Sequence, residues 1–518
     1  MIIRTLVKKS AYYDSVTLMA ASGSMRNQPG VVNASIMMGT AHNRALMQNA
    51  GLIAPDAPEF TPNDAVIGIL CETEDAAGHA LRALEEYFAA RNATQSGENT
   101  PRVRSLSAAF KANPKLNFEI ISVPGRYARV EAEKALDHGL HVLLFSDNVS
   151  LADEIALKEK AVQKGLLMMG PDCGTAIING TALGFANVVK RGQIGLVAAA
   201  GTGLQEVCVL IDRLGGGVSQ ALGAGGRDLK EAVGGRMMLM ELDALKHDAD
   251  TSVIVVISKP PHPTVLKKLA AAIRTIGKPV IACLLGGAPE LLVDSGAVFA
   301  KDLEEAARLA VSLSGCPAAQ AVQSPSLIEL AEAETAAMSG GQTYLRGLYS
   351  GGTLCYESLL ALHQAGIGVR SNIALSKDDL LPDPEQSADH TLLDMGDDYF
   401  TNGIPHPMID PRLRVERILR EAEDGTMAVL LLDCVCGYGS HENPAAAIAS
   451  AIRSAKETAR QNGGYLSVIA SVCATEADPQ KRSAQERALR EAGVVVMPCN
   501  AQAAALAAEI VMKRIRRA

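Results

Sequence analysis

Gly195-Leu196-Val197-Ala198-Ala199-Ala200-Gly201-Thr202-Gly203 carries an apolar strand into a glycine turn, and the run Leu204 to Leu214 continues directly as a helix. The same order of elements recurs later. Gln342 to Ser350 reads as a strand, Gly351-Gly352-Thr353 as the turn, and Leu354 to His363 as the helix. A helix that opens from a glycine turn presents free backbone N–H groups and a partial positive charge, which together attract anions. Two such ends in one chain suit a single phosphate gripped from two sides. Gly201, Thr202, Gly203, Gly351, Gly352 and Thr353 are therefore the candidate phosphate-binding residues. The competing reading is a pair of tight strand–helix turns that bind nothing, since any Rossmann-like unit needs small residues there.

Strands and helices alternate outward from both turns, which predicts α/β architecture with ligands at the carboxyl ends of parallel strands. In the first block, later strands end at Gly223-Ala224-Gly225-Gly226-Arg227-Asp228, Ser258-Lys259-Pro260-Pro261 and Gly286-Gly287. In the second, they end at Asp394-Met395-Gly396-Asp397-Asp398, Asp433-Cys434-Val435-Cys436-Gly437 and Ser471-Val472-Cys473-Ala474. Upstream, strands end at Ser146-Asp147-Asn148 and Gly170-Pro171-Asp172. The expected organisation is a small α+β module over 1–108, a Rossmann-like CoA-binding-type domain over 109–191, and two flavodoxin-like domains over 192–318 and 342–518. Polar segments 92–108 and 319–341 read as linkers.

Apolar residues make up 48% and charged residues 20% of the chain, so it is an ordinary globular sequence of several domains. Aromatics are only 3%, so the cores must be built from Val, Ile, Leu, Ala and Met. A net charge of −8 without a basic cluster excludes nucleic acid as the expected partner. No apolar run reaches the roughly 18 residues of a membrane helix. The ten cysteines lack C-x-x-C spacing, which argues against disulfides and zinc and for a cytoplasmic protein with buried thiols. Asp394, Asp397 and Asp398 have carboxylates that suit Mg²⁺, but helix capping accounts for them and no metal is expected. His42 reads as a surface residue.

The motifs Gly170-Pro171-Asp172-Cys173-Gly174-Thr175, Gly195 to Thr202 and Gly223 to Asp228 resemble, in order and spacing, the α subunit of succinyl-CoA synthetase. Residues 343–518 resemble the carboxy-terminal domain of its β subunit. The chain resembles the FdrA family nearly end to end. The signatures are Ser35-Ile36-Met37-Met38-Gly39-Thr40, Phe145-Ser146-Asp147-Asn148-Val149, Gly225-Gly226-Arg227-Asp228-Leu229, Met395-Gly396-Asp397-Asp398 and Pro405-His406-Pro407-Met408-Ile409-Asp410-Pro411. The synthetase resemblance implies a phosphate held between one helix N-terminus from each half. It also implies a mobile histidine loop after the fourth strand of the first block, yet no histidine lies between His262 and His363. Lys259 stands where the synthetases hold that histidine with a glutamate, and no segment remains for a nucleotide-grasp domain.

A phosphate cradle without a phosphate carrier fits direct attack by inorganic phosphate on an acyl or carbamoyl group. The FdrA resemblance implies one such reaction. The chain would be a component of oxamate carbamoyltransferase in purine and allantoin catabolism, cleaving oxalurate with phosphate to oxamate and carbamoyl phosphate. Lys259 and Arg227 are the expected groups for the substrate carboxylate or the oxyanion, and His406 the proton donor to the leaving nitrogen. Asp147, Asn148, Asp172, Gly225, Gly226, Asp228, Gly396, Asp397 and Gly437 are expected to contact substrate. No cofactor is expected. The partners expected are oxalurate, phosphate and other carbamoyltransferase subunits in a hetero-oligomer, with self-association. One alternative is a CoA-binding, succinyl-CoA ligase-like acyl-CoA synthetase component with CoA on residues 115–190. A second is a non-catalytic scaffold or regulatory subunit.

Overall fold

The computed structural model describes residues 1–518 except 12, 14, 41, 42, 45, 46, 49, 95–102, 104, 288, 289, 317–325, 402, 403 and 518. His42 and parts of both expected linkers lie outside the described residues. The chain divides into two compact units, Met1–Pro114 with Thr401–Pro405, and Lys115–Phe400 with His406–Ala518.

The first unit has a three-stranded antiparallel sheet in which Ala65–Cys71 lies between Ile2–Lys8 and Val31–Met38. The helices Ser15–Arg26 and Glu74–Thr94 complete a split β-α-β arrangement. Its core is aliphatic, built on Ile36, Ile67, Ile69 and Leu84.

The second unit contains three sheets. Phe118–Ile121, His141–Leu144 and Met168–Met169 form a small parallel sheet. The next sheet sets Arg191–Ala198 between Val218–Gly223 and Val253–Ser258, followed by Val280–Leu284 and Val298–Phe299. The last sets Tyr344–Tyr349 between Thr391–Asp394 and Met427–Val435, followed by Ser467–Cys473 and Val495–Met497. Apart from added edge strands, which in the last sheet are Arg370–Ser371 beside Thr391–Asp394, both follow the order 2-1-3-4-5 of flavodoxin-like folds, whose ligands bind where the strand order reverses. Each glycine turn leaves the first strand of its block, so each helix starts at that reversal. The hairpin Thr175–Ile178 and Thr181–Gly184 pairs with Val218–Gly223. These strands, on the amino-terminal side of the expected boundary at 191, extend the following sheet rather than the small one.

The two blocks share one core. Residues Gly203 to Ile211 of the helix Gly201–Arg213 are all buried. The helix Gly352–Gln364 buries Thr353, Leu354, Cys355 and Leu359. Leu204, Val207, Leu354, Leu359 and Leu506 belong to one apolar cluster. Each such side chain contributes about 1.5–3 kcal/mol on burial. Nearly continuous apolar sequence in these helices is explained by protein on all sides rather than on one face. The helical middle of the expected second linker, Leu327–Ala336, packs through buried Ala331 and Thr335. Lys513 reaches Glu332 at 3.2 Å, so the carboxy-terminal basic run is partly committed to this contact.

Candidate functional site

The two helix ends meet. The amide of Thr353 donates to Thr202 Oγ1 at 3.3 Å. The first intrahelical bonds are Leu204 N–H to Ala200 O and Cys355 N–H to Gly351 O, so the amides before them have no helical acceptor of their own. A Cβ on Gly203 would stand 2.7 Å from Thr353 Cγ2. Glycine at this position is what lets the two first turns converge.

Two carboxylates from neighbouring strand ends lie at the second helix end, and one of them, Asp433, is hydrogen-bonded there. Buried Asp433, at the end of Met427–Val435, accepts from Gly351 N–H at 2.7 Å and from Ser350 N–H at 2.9 Å. Arg414 pairs with Asp433 at 2.8 Å and so balances this charge. Asp394, at the end of Thr391–Asp394, accepts from Gly396 N–H through Oδ1 at 2.9 Å. Its Oδ2 lies 2.4 Å from where a Cβ on Gly352 would be, so any side chain there would strike it. Burial pushes the Asp394 carboxyl up to about 7, against the opposing pull of nearby Lys259 and the Gly396 amide. Lys259 follows Val253–Ser258, and its Nζ stands 5.1 Å from the centre of the Tyr356 ring.

His406 joins the same end of the second block. Its Nε2 is 2.4 Å from a Cβ position on Gly396, and the same position is 2.9 Å from Ser350 O. The imidazole also lies beside Phe185, ring centres 5.9 Å apart. Its Nδ1 accepts from Met408 N–H at 3.2 Å, which leaves Nε2 to carry the proton of the neutral ring. Enclosure lowers its pKa to about 4, despite Asp433 and Asp147. As an expected proton donor, His406 is therefore a neutral imidazole rather than an imidazolium.

A second group of expected residues gathers at the small sheet. Asp172 has φ +57° and Asn148 φ +52°, both left-handed turn positions that Asp and Asn tolerate. Asp172 is open to solvent yet surrounded by protein, as in a cleft. Burial, with the charges of Asp147 and Asp398, raises its carboxyl to about 7, and Arg227 opposes this. Gly226 is adjacent: a Cβ there would be 3.8 Å from Ala199 O and 3.9 Å from Asp172 Oδ2. Gly225, at φ +90°, packs against Pro171 O. Arg227 itself is substantially engaged, with Glu154 at 2.8 Å and Val149 O at 2.8 Å. Asp397 lies in the Gly396 turn and accepts from Tyr399 N–H at 3.0 Å.

Two expected substrate contacts need correction. Asp228 is fully buried; it pairs with Lys158 at 2.8 Å and caps the helix Arg236–His247 through the amides of Met237 and Met238. Its carboxylate faces the interior because Lys158, also paired with Glu154 at 2.9 Å, is buried there. Gly437 is buried too: a Cβ would fall 2.6 Å from Ala186 O, and its amide donates to Gln480 Oε1. It serves the docking of segment 185–188, where Asn187 donates to Asp478 at 2.8 Å and to Cys436 O at 3.2 Å. Asp433, not among the residues the sequence singled out for the site, belongs to the helix end. Its only sequence signal was its position at a strand terminus, shared with many residues that bind nothing. All ten cysteines are free, nine of them buried and Cys316 half-buried.

The CoA-ligase family model matches residues 348–510, the CoA binding domain model residues 189–286, and the model described as AllF, heavy metal-associated domain, residues 1–103. The CoA-binding match thus falls mainly on the first flavodoxin-like block, not on residues 115–190. In the amino-terminal match the donor set does not fit a heavy metal: Cys71 is its sole cysteine, and the described residues hold no group of three or more His, Cys, Asp or Glu suited to a metal. Among the described residues no helix is long and apolar enough to cross a membrane. The α 1 subunit of the ADP-forming succinate–CoA ligase of Archaeoglobus fulgidus is 26% identical over 34% of this chain and 60% of its own length. A dinucleotide-forming acetyl-coenzyme A synthetase of Ca. Korarchaeum cryptofilum aligns over 81% of this chain and 88% of its own, at 16% identity and TM-score 0.35. Uncharacterized protein YahF of Escherichia coli strain K12 is 42% identical over 99% of both chains. The chain belongs to the family of YahF, an FdrA-like family with succinyl-CoA synthetase-like domains.

Proposed function

We propose that the chain is an acyl-transfer subunit of CoA-ligase type, exchanging an acyl group between CoA and phosphate at the paired helix ends. The observation that carries this is the convergence of Thr202 and Thr353, one from each of the two blocks. The CoA-binding and CoA-ligase family matches each contribute one helix to that pair, which supports CoA as the acyl carrier and residues 189–286 as its seat. The first-turn amides would hold phosphate and stabilise the oxyanion as the acyl carbon is attacked. Lys259 would add positive charge on the side of the third strand.

Oxalurate phosphorolysis is the second reading. It is favoured by the lack of a histidine between His262 and His363, which removes the synthetase-type phosphate carrier from this block. Both readings use the same phosphate position and differ in the leaving group, a thiol or an amide nitrogen. Hetero-oligomeric assembly with further subunits belongs to both. The purified chain, alone and with the products of neighbouring genes, should be given phosphate with either a CoA thioester or oxalurate. Acyl phosphate with free CoA supports the first reading, and carbamoyl phosphate with oxamate supports the second. Neither product under any combination, in protein that remains folded, would contradict both and leave the scaffold role.

A further inference from the structure

We infer that Asp394 is the proton-carrying group of the helix-end site. The inference rests on the phosphate reading of that site and adds the residue that makes transfer from phosphate possible. Asp394 is 8% exposed. Its Oδ1 is tied to the Gly396 amide, whereas Oδ2 points at Gly352, the first residue of the helix, where no hydrogen bond engages it among the described residues. An oxygen that accepts no hydrogen bond, on a mostly buried carboxyl and directed at a helix N-terminus, is placed to take a proton from a ligand bound there.

Hydrogenphosphate supplies such a proton. In the transfer its oxygen forms a bond to the acyl carbon, and the carbon–sulfur or carbon–nitrogen bond to the leaving group breaks. The proton on hydrogenphosphate passes to Asp394 Oδ2 and ends on the leaving sulfur or nitrogen. Atoms and charge balance without a further reactant, and the same relay serves either leaving group. A carboxyl near neutrality is matched to this work, since it both accepts and returns a proton at ordinary pH.

The groups facing Asp394 set its charge state. Lys259, from the strand of the first block, favours the carboxylate; Asp397 on its own turn and Asp433 on the neighbouring strand disfavour it. Cys355 on the helix is a buried thiol that this charge pushes further up. His406, beside Gly396, is neutral above about 4 and so does not titrate in the same range. Asp172 does titrate there.

The test uses sulfate, which stays dianionic from pH 6 to 8, with the full chain in titration calorimetry. An ionised Asp394 repels the ion, so wild-type affinity should fall about tenfold between those pH values, with proton uptake on binding at the higher pH. Asp394→Asn, which keeps an acceptor for the Gly396 amide, should bind with less than about twofold change over the range and without proton uptake. Asp172→Asn should keep the wild-type pH dependence. In a turnover assay Asp394→Asn should lose kcat while KM for phosphate holds or improves. Sulfate binding with the same pH dependence in wild type and Asp394→Asn overturns the role of Asp394 and leaves the helix-end reading standing. Failure of the folded wild type to bind sulfate at any pH overturns both.

Discussion

The Thr353 amide and the Thr202 hydroxyl meet at 3.3 Å although 151 positions separate them in sequence. Their contact joins the first turns of two helices, and with them the switch points of two parallel sheets. The first turn of Gly201–Arg213 retains amides without helical acceptors, while Asp433 and Asp394 crowd the other helix end. The two ends therefore differ: carboxylates stand beside the second helix end, and Arg414 offsets one of them.

Gly203→Val should be more harmful than its position in a helix implies. Even the Cβ would lie 2.7 Å from Thr353 Cγ2, so the helix ends must separate. Overpacking of this kind costs about 1–3 kcal/mol, measurable by urea denaturation, and phosphate affinity should fall with it.

Thr202→Val removes the hydroxyl that accepts from Thr353 while keeping side-chain shape. Thr202→Ser keeps it. The valine variant should lose about 0.5–1.5 kcal/mol of stability, the serine variant less, with the difference read from paired denaturation curves.

Lys259→Gln removes the cation that draws the Asp394 carboxyl downward, so the pH optimum of transfer should move up. Lys259→Glu should reduce turnover further than Lys259→Gln, because it adds repulsion toward phosphate as well as removing attraction. Equal kinetics in wild type and both variants would place Lys259 outside the reaction.

Glu357 gives a stability prediction independent of catalysis. Its carboxylate accepts from Leu303 N–H and from Asn500, and burial raises its pKa to about 8. The folded state therefore binds the extra proton between the ordinary carboxyl range and about pH 8. This contribution to stability is fully present below the unfolded pKa and is lost as pH rises through the folded one. Glu357→Gln should flatten the decline in melting temperature between pH 6 and 9. An unchanged slope would contradict a protonated Glu357.

Lys158→Met should be among the most damaging single changes. It leaves Glu154 and Asp228 buried without their shared cation, at a cost of about 3–5 kcal/mol. Glu241 sharpens this, because burial and the charge of Asp228 already hold its carboxyl well above the usual range. The readout is the denaturation midpoint.

Much of the architecture was legible because local signals coincide with it. Gly201-Thr202-Gly203 and Gly351-Gly352-Thr353 are adjacent in sequence to the strands and helices they join. The hairpin 175–184 was harder, since strand pairing with Val218–Gly223 is a nonlocal choice. The site was legible only where a single segment carries it. Asp433 is part of the helix end solely because Met427–Val435 pairs beside Tyr344–Tyr349, and no spacing reports that. Asp228 misled for the converse reason: its glycine-rich neighbourhood looks like a ligand loop, but the partner that claims it, Lys158, lies 70 positions away.

The most direct test of the central claim is a crystal structure of the full chain grown with phosphate. The account predicts one ion within hydrogen-bond distance of the amides of Thr202 and Gly203 and beside Gly352 and Lys259. Saturating phosphate with no ion at these amides, or helix ends that stand apart, would contradict it.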